Sequence, residues 1–143
     1  MVMMELTFGA RCVKMIIKLG FNLELTKDDI KDIVITALEG GIRYWACLIN
    51  EGKDFDGYYK ETKGRSLSEF VADLLLDNKS VWFYDTESDF ADAEKWEMTL
   101  EKLLNGIAKQ VELSKRLSVM EDLDGGSADN MFQYALFNDI IYG

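Results

Sequence analysis

From Val13 to Leu25 every odd-numbered position is apolar: Val13, Met15, Ile17, Leu19, Phe21, Leu23 and Leu25. Among the even positions only Ile16 departs from polar or small character. A period of two predicts a β-strand with one buried face, straight or bent at Gly20, and a half-solvated antiparallel sheet is its natural setting. The pattern then changes period. Thr26 is a good N-cap, Asp29 stands where a capping box places its acidic partner, and Ile30, Ile33, Val34, Ala37 and Leu38 fall on one helical stripe. Gly40 and Gly41 predict the helix stop, since glycine enters the left-handed region without a Cβ clash. The aromatic, branched run IRYWACLI, residues 42–49, then predicts a strand.

Residues 50–65 are polar and glycine-bearing and read as a loop or hairpin around Tyr58 and Tyr59. Ser66 and Glu69 form a capping-box pattern ahead of Leu67, Phe70, Val71, Leu74 and Leu75, predicting a helix over 67–77 that stops at Asn78. VWFYD (81–85) and WEMT (96–99) predict a β-hairpin across an acidic loop. Thr99 caps a third helix, with Leu100, Leu103, Leu104, Ile107, Ala108 and Val111 on its core face, Gly106 its weak point and its end near Leu117. After the break EDLDGGS, Ser127 opens a last helix whose core face is Ala128, Met131, Phe132, Ala135, Leu136 and Ile140. No linker, repeat or low-complexity segment divides residues 1–143, so a single domain is expected. Its class is α+β: a mostly antiparallel sheet covered on one face by about four helices.

Composition narrows the chemistry. The chain has 143 residues, 48% of them hydrophobic and 12% aromatic, which is enough for a core without staples and too apolar for disorder. It has no apolar run long enough to span a membrane. The N-terminal apolar patch contains Glu5 and lacks a small-residue cleavage site, so no secretory signal is read there and a cytoplasmic protein with Cys12 and Cys47 reduced is expected. Sixteen basic against 26 acidic residues give a net charge of −10, which opposes direct nucleic-acid binding and suits a partner with a basic surface. Histidine is absent, removing the commonest general base and metal ligand.

No Gly-x-Gly-x-x-Gly or P-loop motif cradles a phosphate, and neither catalytic residues nor a cofactor can be assigned, so the expectation is a protein that is not an enzyme. The densest carboxylate run is Asp85, Glu87, Asp89, Asp92 and Glu94. The first three match EF-hand ligand spacing, but Phe90 occupies the position that needs glycine and Trp96 the bidentate twelfth position, so no metal site is assigned there. Asp122, Asp124 and Asp129 surround a glycine pair that serves a turn. The five hairpin carboxylates are therefore the candidate partner-binding residues. An alternative ligand site would use Arg43, Tyr44, Trp45 and Arg65, arginines beside stacking aromatics.

Two segments, LTKDDIKDIVITALEGGIRYW (25–45) and SADNMFQYALFNDIIYG (127–143), resemble a family of small uncharacterised proteins carried by phages and mobile elements of Gram-positive bacteria. The resemblance implies an accessory protein working in the bacterial host cell and brings no catalytic residues with it. One implied activity is an inhibitor that binds a host defence protein, such as an anti-CRISPR protein occupying the basic groove of a CRISPR effector. A second is a sponge for a nucleotide immune signal, its pocket at the interface of a homo-oligomer. A third is a phage accessory with no defence role.

Overall fold

The computed structural model describes residues 3–8, 13–18, 22–49, 65–115 and 119–143. Met3–Phe8 (β1), Val13–Lys18 (β2) and Asn22–Thr26 (β3) form one antiparallel sheet in that order. The expected strand over 13–25 is thus two strands, and the reason it read as one lies in the register. Met15 faces Leu25 and Ile17 faces Leu23, so paired positions share parity and the alternation passes through the chain reversal unchanged. The expected bend at Gly20 lies outside the described residues. β1 was not anticipated, although Met4, Leu6 and Phe8 alternate with Glu5 and Thr7.

Lys27–Thr36 (α1) starts on the predicted capping box, with the Asp29 amide donating to Thr26 Oγ1 at 3.1 Å and the Thr26 amide to Asp29 Oδ2 at 2.9 Å. Ile30, Ile33, Val34 and Ala37 are fully buried. The helical run ends at the glycine pair as predicted, but neither glycine takes the left-handed conformation. Its last turn is π-helical, Ala37–Gly41, closed by the Ile42 amide on the Ala37 carbonyl at 2.9 Å. Residues 42–45 are a turn and not a strand, because the Trp45 and Ala46 amides both return to the Ile42 carbonyl. Only Ala46–Leu48 (β4) is extended. The expected hairpin around Tyr58 and Tyr59, like Cys12, lies outside the described residues; Cys47 is a free thiol.

Leu67–Leu76 (α2) is capped by Ser66, whose hydroxyl accepts from the Glu69 amide, and Asn78 ends it at φ 59°. Val81–Asp85 (β5) pairs with both β4 and Lys95–Met98 (β6) in a second antiparallel sheet of order β4-β5-β6. Leu100–Ser114 (α3) follows the Thr99 cap and ends at Lys115, φ 56°, two residues earlier than expected near Leu117. Gly125–Phe137 (α4) is capped by Asp124, not by Ser127. Ser127 is the reciprocal member of the box: its amide donates to Asp124 Oδ1 at 2.7 Å and its Oγ accepts from the Asp124 amide at 3.0 Å. Asn138 closes α4 at φ 58°, so Ile140, expected on the helix core face, falls beyond the helix and is exposed.

The fold is α+β, with two three-stranded antiparallel sheets among the described residues where one was expected. α1 packs on α2, α3 on α4, and Leu23, Leu25, Phe83, Met98 and Phe132 join the helical stripes in the core. Among the described residues no helix is long and apolar enough to cross a membrane.

Candidate functional site

The turn before β4 and the last helix meet at one buried carboxylate. Asp129, one turn into α4, accepts from Tyr44 Oη at 2.6 Å, from Trp45 Nε1 at 2.7 Å and from Gln133 Nε2 at 2.9 Å. Gln133 is fully buried, and its amide reads the main chain of the strap that follows α4, residues 139–143. Its Oε1 accepts from the Ile141 and Tyr142 amides at 2.9 and 2.8 Å, while Nε2 donates to the Tyr142 carbonyl at 3.1 Å. The Tyr142 ring then stacks on Trp45, centroids 4.9 Å apart and planes within 9°, beside Trp96 and Phe137. A polar network within an aromatic cage thus fixes the strap.

Through the strap the network reaches the acidic hairpin. Tyr142 Oη donates to Asp85 Oδ2 at 2.8 Å, and Asp85 Oδ1 accepts from the Glu87 amide at 2.8 Å, forming the first bend of the loop. The Thr86 amide bonds to the Trp45 carbonyl, and the Asp92 and Ala93 amides both bond to the Asp89 carbonyl, with Ala93 buried. The loop is therefore held by backbone bonds, both within it and to the turn before β4. Phe90 is 53% exposed, edge-on to Tyr84 at 5.2 Å, with the Lys95 ammonium 4.7 Å from its centroid. Glu87, Asp89, Asp92 and Glu94 are exposed around it, and none has an ion-pair partner among the described residues.

The five candidate carboxylates are thus together, four of them open to solvent and Asp85 turned to Tyr142. The alternative quartet is dispersed. Trp45 is buried, Tyr44 gives its hydroxyl to Asp129, and Arg65 pairs with Asp73, which also takes Lys31 Nζ at 3.3 Å. Arg43 borders a cleft about 570 Å³ in volume, lined by Leu38, Ile42, Leu48 and Phe83 with Glu39 and Ser68. Of the other acidic group, Asp124 serves as a cap, Asp122 is exposed and Asp129 is buried. Among the described residues no three His, Cys, Asp or Glu side chains are grouped to hold a metal ion. Gln133 and Tyr142 had no motif to announce them; the one available signal was Asp129 with Gln133 at i, i+4 beside an apolar stripe.

Burial, then the hydrogen bond to a carboxylate, pushes both tyrosine hydroxyls up to about 12: Tyr44 by Asp129, and Tyr142 by Asp85 with Glu94 and Glu87 adding to it. Below pH 10 both folded and unfolded chains hold these protons, so their contribution is constant. Between pH 10 and about 12 the unfolded chain releases them first, and stability falls as pH rises. Urea unfolding across that window should show a decline that Tyr142→Phe makes shallower; an equal decline in the variant would remove Tyr142 as a contributor.

The chain matches no known protein-family model, no curated protein and no solved structure.

Proposed function

We propose that the protein works without catalysis, by docking the ordered hairpin of β5 and β6 onto a basic surface of another protein. The observation that carries this reading is the set of four exposed carboxylates, unpaired among the described residues, around an exposed aromatic ring. Charge of one sign on a rigid loop steers a partner of the other sign, and a projecting ring supplies the desolvated anchor that charge alone lacks. Direct nucleic-acid binding is disfavoured by the same charge. Together with the resemblance of two segments to phage and mobile-element proteins, this makes inhibition of a host defence protein the preferred function. A CRISPR effector, whose nucleic-acid groove is basic, is the kind of partner proposed.

The test is co-elution of the purified chain with candidate effectors, paired with a target-cleavage assay. A stoichiometric complex that suppresses cleavage and weakens with added salt is expected. Reversing three hairpin charges, Glu87→Lys with Asp89→Lys and Asp92→Lys, should weaken binding by about 100-fold while leaving the urea midpoint nearly unchanged. Unaltered binding would remove the hairpin from the interface. The nucleotide-sponge reading keeps a foothold in Arg43 at its cleft, which has no partner among the described residues. Nucleotide released on denaturing the purified protein would favour it instead.

A further inference from the structure

We infer that the docking face continues from the acidic hairpin onto the strap at 139–143, with Ile140, Ile141 and Tyr44 as its apolar half. The partner it fits is a basic protein surface with an apolar recess beside its Arg and Lys side chains. This rests on the proposed role of the hairpin and assigns the face a second segment.

Three observations carry it. Six large hydrophobic side chains are exposed among the described residues, and three of them, Tyr44, Ile140 and Ile141, lie on the strap or on the turn that touches it, whereas Phe90 packs on Tyr84 and Lys95, on the other face of the β5–β6 pair from Tyr142. Scattered singly such residues need no explanation, but three on two touching segments are grouped. The segments are physically joined: Tyr142 Oη bonds to Asp85 at the base of the hairpin, and a Cβ on Gly143 would stand 3.6 Å from Tyr44 Oη. The strap is also held by its main chain. Gln133 takes the amides of Ile141 and Tyr142 and the carbonyl of Tyr142, so these bonds do not depend on the Ile141 side chain, which is 55% exposed. Apolar groups beside unpaired carboxylates match the anatomy of an interface, where an apolar centre is bordered by charges that set orientation.

The test uses two synthetic helical peptides as probes, one presenting arginines with leucines and the other the same arginines with serines. The intact chain should bind the Arg/Leu peptide about tenfold more tightly than the Arg/Ser peptide. Ile140→Ser with Ile141→Ser should erase that preference, leave Arg/Ser binding as it was, and keep the urea midpoint near that of the parent. The hairpin reversal at 87, 89 and 92 should weaken binding of both peptides. Tight Arg/Leu binding by the isoleucine variant, or no leucine preference in the parent, overturns the strap half alone. Undiminished binding of both peptides by the hairpin variant, or no binding by the parent, overturns the hairpin reading and the strap with it.

Discussion

Asp129→Ala is expected to lose about 4 kcal/mol of unfolding free energy, from removing a charged acceptor that serves several donors in a buried setting. The Trp45 indole N–H is inside the core and has no other acceptor among the described residues, so its desolvation is uncompensated once the carboxylate leaves. Gln133 loses one of its two donor contacts but keeps its hold on the strap carbonyl. The Tyr44 hydroxyl belongs to a half-exposed ring and can turn to water, so Tyr44→Phe should cost only about 1 kcal/mol. Asp129→Asn retains one acceptor oxygen and sets an NH₂ among donors, an intermediate loss of about 2 kcal/mol. Urea midpoints at constant m-value measure the series. An Asp129→Ala midpoint within error of the parent would show that the Trp45 and Gln133 donors find other partners.

The same residue marks how far the sequence could be read. Thr26 with Asp29, Ser66 with Glu69 and Thr99 are local signals, complete within three or four residues, and each helix starts where its cap predicts. Asp124 escaped because two glycines separate it from Ser127; they read as turn residues and in fact form the first turn of α4. The chain reversal between β2 and β3 escaped for a different reason, the preserved parity of its register, which no count of alternating positions can detect.

The site divides along the same line. The hairpin carboxylates could be identified because strand propensity on both sides placed them in one loop. The network behind them could not, since Trp45 and Asp129 are 84 positions apart and Tyr142 and Asp85 are 57 apart. Such pairs follow from packing and leave no periodic trace. The two segments singled out by resemblance, 25–45 and 127–143, are nevertheless the ones that Asp129, Gln133 and Tyr142 tie together. Their shared role is to build the cage that holds the strap and the base of the hairpin, which gives the TALEGGIRYW and FQYALFNDIIYG runs a physical meaning that is structural first.

Gly106→Ala is expected to destabilise by about 3 kcal/mol, against the gain of about 1 kcal/mol that helix propensity alone would give at a mid-helix glycine. The sign is decided by what lies opposite. A Cβ at 106 would stand 2.2 Å from the Met131 carbonyl oxygen and 2.8 Å from the Ala135 amide nitrogen, both backbone atoms of α4 that no rotamer change can move. The helices must separate, and the buried contacts of Leu103, Ile107 and Phe132 open with them. Gly41 is bound by the same rule, its Cβ position 2.6 Å from the Gly125 carbonyl oxygen, where the π-helical turn meets the start of α4. The control is one residue away: nothing lies within 4 Å of a Cβ at Gly40, and Gly40→Ala should stabilise by about 0.5 kcal/mol through the unfolded chain. Denaturation midpoints for Gly40→Ala above, and for Gly41→Ala and Gly106→Ala well below, that of the parent are the expected order. A Gly106→Ala protein at least as stable as the parent would mean that α3 and α4 do not meet at this point.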